Sequence, residues 1–573
     1  LLPKGDINEF PRWPPDAFAV AATLAHLSGF YSRSRYTGAG NDGYVFSDDI
    51  RQHLKAVGGQ WRRLWQVRKI NGVTPAAARR FLTRLWRRLV NANREVTTWD
   101  QDQTNQEWWD AAIQLLIAAD EASAGVGFSP SGPDQHTVAR FTFEELANYD
   151  QGRPFSLPHL PWSVCWQVPA TEVTVLPKSR TAQLGCTLRS LTHHLALLPP
   201  VGEVRSSWTV NPGQQGPGSV LQQLELEHRP FNVLLVPFPF HIDGKCFVAG
   251  PPIFDRDGRP IDDTRSKWRF LELDQRWLRK DDGQPVTARD MGNFLKELIE
   301  VASAEAEHVD GIVLPELALS LDMMADLDEI LATETGLELF ISGYLLPGER
   351  AGNYVHGTLF IRPPSGEVFV YNWEQSKHHR WMVEGYQIER YQLGDRLHPE
   401  CLWWEDVDIR NRKCHFVVFR RIGSLVTLVC EDLARIDPVQ SVIRAVGPTL
   451  VIALLMDGAQ LEKRWSGRYA TVLADDPGSA VLTLTSLGLM RRSLVNAGEK
   501  PNREIALWKG ADQKTRELQL ASNHHALLLT LSVNRKTHFT LDGRSDEGST
   551  IGLLLSKTRD VKHPSPPTWA RAD

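Results

Sequence analysis

Two textures of apolar and polar positions divide this chain. In its first part the apolar residues recur at helical spacing. The segment PPDAFAVAATLAHLSGFY, Pro14 to Tyr31, opens on Pro-Asp and closes near a Gly, which are helix start and stop signals. In TPAAARRFLTRLWRRLVNA, Thr74 is placed to cap, Pro75 takes the first helical position, and Phe81, Leu82, Leu85, Trp86 and Leu89 form one apolar stripe. A third helix is predicted in NQEWWDAAIQLLIAADEA, from Asn105. Beyond residue 228 short β-branched runs alternate with amphipathic ones. FNVLLVPFPF reads as a buried strand, MGNFLKELIEVASAEA as a helix, GIVLPEL as a strand, LDMMADLDEILATET as a helix and ELFISGYLL as a strand. That alternation predicts an α/β domain.

Between these regions, residues 126–228 are rich in Pro and Gly, with short strand candidates in SVCWQV and EVTVLP and a linker-like stretch, VNPGQQGPGS. The expected division is therefore a mainly helical region over 1–125, a mixed segment with linker over 126–228, an α/β domain over 229–556 and a C-terminal tail over 557–573.

Composition narrows the function classes. The chain has 573 residues and a formal net charge of -5, so it is no polyanion binder by overall charge. Charge is nevertheless local: residues 51–94 hold 12 Lys or Arg and no acid, while acids crowd residues 99–150. Arg79, Arg80, Arg84, Arg87 and Arg88 share the second predicted helix, either as a patch that docks nucleic acid or a protein partner, or as a solvated basic face. Six cysteines lie scattered without CxxC or Cys/His spacing, which predicts no metal site and a reducing, cytoplasmic setting. No apolar run is long enough for a membrane span.

Candidate chemistry gathers at the ends of β elements. In VTLVCEDLARIDP, a buried-looking strand runs straight into Cys430, at a strand-to-helix turn where a helix N-terminus would favour thiolate. Glu316 follows the strand in GIVLPEL. Lys377 follows a hairpin whose strands are GTLFIR and VFVYNW. Glu384 lies in WMVEGYQ, with Glu389 as its rival. Each residue alone has an ordinary explanation, as packing for the cysteine and as surface for the others.

In chain order the set Glu, Lys, Glu, Cys resembles the nitrilase superfamily of carbon–nitrogen hydrolases. GIVLPEL is similar to that family's strand ending in Pro-Glu, and NYVHGTLFIRPPSGEVFVYNWEQSK to its strand, turn, strand and Lys block. SLVTLVCEDLARIDPVQSVIRAVGPTLVIAL resembles its nucleophile turn with the following helix and strand, and RWSGRYATVLADDPGSAVLTLTSLGL its next helix and strand. The resemblance spans about residues 229–556. It implies a four-layer αββα sandwich, amide or nitrile hydrolysis with neither metal nor organic cofactor, and pairing into a homo-oligomer. By position, Cys430 would be the nucleophile, Glu316 the general base and acid, Lys377 the oxyanion cation, and Glu384 a second carboxylate positioning substrate or Lys377. The backbone N–H of Glu431 would be a second oxyanion donor.

The Cys-Glu-Asp sequence is most similar to the glutaminase domains of ammonia-channelling synthetases, although no nucleotide-binding Ser-Gly-Gly-x-x-Ser loop is present. The stretch between Glu384 and Cys430 is longer than usual and holds the Trp-rich CLWWEDVD, read as a lid or an interface. The alternative function is a nitrilase-like binding or signalling module without turnover, such as one in a bacterial defence system, with the basic helix docking nucleic acid or protein.

Overall fold

The computed structural model describes residues 7–29, 31, 34–35, 44–45, 47–66, 76–91, 106–124, 159–160, 163–198, 205–209, 229–250, 257, 267–348, 351–362, 366–420, 423–493 and 502–572. The proposed linker at 210–219 lies outside them.

The N-terminal helices are α1 (Pro14–Ser28), α2 (Asp48–Gln66), α3 (Ala76–Asn91) and α4 (Gln106–Ala122). The helix α4 is the one the others share, because Ala111, Ala112, Leu115, Leu116, Ala118 and Ala119 leave it apolar on several sides. A Cβ at Gly58 of α2 would stand 2.5 Å from Glu121 Cβ, so glycine is what permits this close crossing.

The segment 163–198 completes this unit: Val164, Val168, Val175, Leu188 and Leu195 enter the same apolar cluster as the helices. EVTVLP contributes the strand Thr174–Pro177, paired with Leu195–Leu198. SVCWQV forms no strand. Its backbone is claimed by Asp16 of α1, whose Oδ1 accepts from the N–H groups of Trp166, Gln167 and Val168 at 3.0, 2.9 and 3.1 Å.

The remainder is mixed α/β, built on two eight-stranded sheets. The first runs, in spatial order, Phe369–Ser376, Gly352–Ile361, Leu339–Leu346, Gly311–Val313, Phe231–Leu235, Ala526–Lys536 and Thr550–Val561, with Leu319–Ser320 paired beside Leu339–Leu346. The second runs Thr515–Gln519, Glu504–Lys509, Ala480–Thr485, Leu450–Leu455, Gly423–Val429, Lys413–Phe419, Arg205–Thr209 and His159–Leu160. Strands that cross the core read as continuous apolar runs because both of their faces are covered; all seven residues of Gly423–Val429 are buried. The sheets meet through Gln375, which donates from Nε2 to Thr427 O at 2.7 Å and accepts from His415 N at 2.9 Å.

A four-stranded sheet stands apart, ordered Met382–Val383, Leu402–Glu405, Trp268–Leu273 and Phe247–Ala249. It contains the Trp-rich stretch that the sequence marks as an insertion. The expected tail is no free end: the strand beginning at Thr550 continues to Val561, His563 stacks on Phe294, and Trp569 packs edge-on against Phe238. Apolar contact, which the polar appearance of 557–573 concealed, holds it down.

Candidate functional site

Glu316 stands three residues past the strand Gly311–Val313. The turn is pressed onto the next strand, since a Cβ at Gly343 would lie 2.5 Å from both Glu316 Cα and Leu317 N. Lys377 directly follows the strand Phe369–Ser376, and its N–H donates to Asn353 O at 2.8 Å. Cys430 directly follows Gly423–Val429 and holds φ at +44°, a backbone region that non-glycine residues rarely adopt. Such a strained turn at a strand end projects a side chain away from the sheet. Asp432 fastens this turn to the lysine strand: both its oxygens accept from His378 N at 3.0 Å, and Oδ1 lies 3.1 Å from His379 Nδ1.

The ends that carry Glu316 and Lys377 meet in one buried cluster. Lys377 Nζ lies 2.8 Å from Glu316 Oε1 and 2.6 Å from Glu405 Oε2. Asn353 Nδ2 donates to the same Glu316 Oε1 at 2.7 Å and to Glu405 Oε1 at 2.9 Å. The lysine and both carboxylates are at most 3% exposed. Glu316 Oε2, also buried, accepts no hydrogen bond among the described residues.

Electrostatics ties Cys430 to the cluster. Burial pushes its thiol well above the ordinary value, the Glu316 charge pushes further, and Lys377 opposes both. A helix N-terminus does not lower it, as the sequence led us to expect, because Cys430 opens only the single tight turn Cys430–Leu433. Burial likewise raises Glu316, with Lys377 opposing and Glu405 adding to the rise. For Lys377 burial alone would favour the neutral amine, but Glu316, Glu405 and Cys430 outweigh it and hold the ammonium well above its usual range. The arrangement therefore offers a protonated thiol, a firmly charged ammonium and a carboxylate that is a stronger base than a solvated one.

Glu384, the carboxylate expected beside Lys377, is elsewhere. It caps the short helix Gly385–Arg390, its N–H donating to Gln387 Oε1 at 3.1 Å, while Glu389 is exposed on that helix. The second carboxylate of the cluster is Glu405, which sequence reasoning missed. A signal existed: in LWWE, alternation puts Trp403 and Glu405 on the buried face, and a charge at an inward position of a strand calls for a partner. Trp381 N also donates to Glu405 Oε2 at 3.1 Å.

Glu431 follows Cys430 in the turn, and its side chain pairs with Arg435 at 2.6 Å. The five arginines Arg79, Arg80, Arg84, Arg87 and Arg88 are exposed along α3 and take no part in the buried cluster. Among the described residues no group of His, Cys, Asp or Glu is arranged to hold a metal ion, and no helix is long and apolar enough to cross a membrane. All six cysteines are free.

No family model matches this chain, and no curated protein matches it. Among solved structures it is similar to Saccharomyces cerevisiae Nit3, a member of branch 10 of the nitrilase superfamily, at 11% identity and a TM-score of 0.24, over 57% of this chain and 90% of that one.

Proposed function

We propose that the chain is a carbon–nitrogen hydrolase that cleaves an amide or a nitrile through a thioester on Cys430. The observation that carries this reading is the burial of Lys377 between Glu316 and Glu405, with the strained Cys430 turn electrostatically coupled to the same group.

For an amide, the Glu316 carboxylate takes the Sγ proton as sulfur attacks the carbonyl carbon. The bond between the carbonyl carbon and sulfur forms while the C=O π pair moves onto oxygen. Lys377 Nζ and the backbone N–H of Glu431 would stabilise that oxyanion; loss of one such donor typically costs about a hundredfold or more in rate. Glu316 then returns its proton to the departing nitrogen, and the C–N bond breaks. In the second half Glu316 deprotonates a water that attacks the thioester carbon; the C–S bond then breaks, the carboxylic acid leaves, and the Glu316 proton returns to sulfur. Glu405 and Asn353 take no proton in this scheme: they hold Lys377 and Glu316 in place. Neither a metal nor an organic cofactor enters the scheme.

The same reading includes a four-layer αββα arrangement of the two sheets, pairing into a homo-oligomer and a cytoplasmic setting. The order of sequence motifs supports the first two, and the absence of paired cysteine spacing supports the third. The test is turnover of an amide and nitrile panel by Cys430→Ala. We expect less than about a thousandth of the wild-type rate with the unfolding transition retained; comparable rates in the variant would overturn the assignment.

A second reading, a binding or signalling module that docks nucleic acid or a protein, is favoured by one observation. Arg80, Arg84, Arg87 and Arg88 recur at helical spacing on the exposed face of α3. Nucleic-acid binding that weakens steeply with salt and is lost on changing Arg84, Arg87 and Arg88 would support it; no binding at low salt would end the nucleic-acid form of it.

A further inference from the structure

Asp457 has no part in the scheme above, yet it stands at the same end of the same sheet as Cys430. The strands Gly423–Val429 and Leu450–Leu455 are parallel neighbours with Val429 opposite Leu454, so their chains leave the sheet side by side. The first delivers Cys430 and the second, two residues past its end, delivers Asp457. The backbone there is pinned: Asp457 N donates to Thr485 Oγ1 at 3.1 Å, and the Thr485 hydroxyl donates to Asp457 O at 2.6 Å.

The side chain is only half satisfied. Oδ1 accepts from Tyr391 OH at 3.0 Å and from Arg464 at 2.8 Å, whereas Oδ2 is buried and accepts no hydrogen bond among the described residues. Asp457 as a whole is 6% exposed. A buried carboxylate oxygen without a donor is costly, and a donor brought by a ligand would remove that cost.

Contacts connect Asp457 to the cluster through Tyr391, the donor to its other oxygen. Tyr391 packs edge-on against Trp381, whose backbone N–H donates to Glu405 Oε2. The Asp457 charge is felt at Cys430 and at Tyr386, an exposed ring that also senses Glu384, Arg390 and Glu431. The charged groups acting most strongly on Cys430 are Glu316, Lys377, Glu431 and Asp457, three acids against one base. Glu431 and Asp457 already have cations, at Arg435 and Arg464, so the preference for a donor rests on the unpaired Asp457 Oδ2 and not on net charge.

We propose that Asp457 is a substrate-recognition residue, its Oδ2 accepting a hydrogen bond from a protonated amine carried by the amide that Cys430 attacks. This rests on the hydrolase reading and names its substrate class: amides bearing a primary ammonium group. The charge-assisted bond to a buried carboxylate supplies the selectivity.

The experiment compares ω-aminoacyl amides with unsubstituted acyl amides of equal chain length, for the wild-type protein and for Asp457→Asn. In the wild type we expect kcat/KM to favour the amino member by on the order of tenfold or more, and in Asp457→Asn that ratio to fall towards one. The unfolding midpoint and the pH profile of Cys430 alkylation check that the variant site is assembled. A wild-type ratio near or below one at every chain length overturns the proposal without any variant, as does an unchanged ratio in Asp457→Asn.

Failure of the hydrolase reading looks different, because neither member is then turned over by the wild type. In that case both members are titrated calorimetrically into Cys430→Ser, with and without Asp457→Asn. Binding of the amino member that depends on Asp457 sustains the recognition site, and absence of binding overturns it.

Discussion

The ammonium of Lys377 lies 2.6 Å from the carboxylate of Glu405, although Glu405 belongs to a small sheet outside both of the large ones. Both groups are buried, and Lys377 is shared between Glu405 and Glu316. Glu405→Ala leaves Lys377 with Glu316 as its remaining carboxylate but strips the charge-assisted hydrogen bonds that Lys377 Nζ, Asn353 Nδ2 and the backbone N–H of Trp381 make to Glu405, bonds typically worth about 1.5–3 kcal/mol each. Glu405→Ala should therefore lower stability by about 3 kcal/mol or more in denaturant unfolding. Glu384→Ala, at a half-buried helix start, should cost about 1 kcal/mol. Equal costs would mean that Glu405 is not what holds Lys377.

The Cys430 thiol is held up by burial first and by Glu316 second, and is pulled down by Lys377. Its alkylation by a small haloacetamide should be slow at neutral pH and accelerate above the ordinary thiol value of 9.0. The midpoint should move down in Glu316→Gln and up in Lys377→Met, as read by peptide mass spectrometry. A midpoint indifferent to both variants would place Cys430 outside the cluster.

The same shift has a consequence for stability. A folded-state pKa raised above the unfolded value means that the native state holds the proton more tightly. Cys430 therefore contributes fully below pH 9.0, and its contribution is lost as pH rises beyond that value. Cys165 and Cys414 are raised in the same direction by burial. Cys430→Ala should flatten, without abolishing, the alkaline fall in unfolding free energy. An unchanged alkaline slope would contradict the shift.

Gly343 touches the Glu316 turn through backbone atoms that have little room to yield, including Pro315 O at 2.6 Å from a Cβ built there. Gly343→Ala should cost about 1–3 kcal/mol and displace Glu316. Turnover should then fall more than stability alone explains. A variant with wild-type stability and rate would show that the turn gives way freely.

Arg544, between the strands Ala526–Lys536 and Thr550–Val561, reaches into the N-terminal helices. It contacts Asp120 at 3.3 Å and Glu121 at 2.5 Å, as well as Asp542 of its own loop at 2.8 Å. Arg544→Ala should cost about 3–5 kcal/mol, because three acids lose their shared cation. Limited proteolysis should then cut near the helices sooner than in the wild type. A loss below about 1 kcal/mol would mean that apolar contact, and not this ion group, joins the two regions.

Much of this was written locally. Helical spacing in residues 14–31, 74–92 and 105–122, and alternating strands and helices beyond 229, follow from which side chains can be buried together at 3.6- and 2-residue periods. Glu316, Lys377 and Cys430 could be singled out because each ends a β element. Glu384 could not be told from Glu405 in this way. What separates them is the pairing of Leu402–Glu405 with Trp268–Leu273, two segments some 130 residues apart, which turns Glu405 inward. SVCWQV, likewise, has a strand's composition, and only the distant carboxylate of Asp16 decides otherwise.

The sequence by itself determined the elements and the positions where reactive side chains emerge, since period, turn chemistry and strand ends are properties of neighbouring residues. Tertiary structure alone decided which carboxylate faces Lys377, which way the Cys430 thiol titrates and which oxygen of Asp457 is left without a donor. Charge energies depend on burial and on partners brought together from remote parts of the chain, and neither is a property of a local segment.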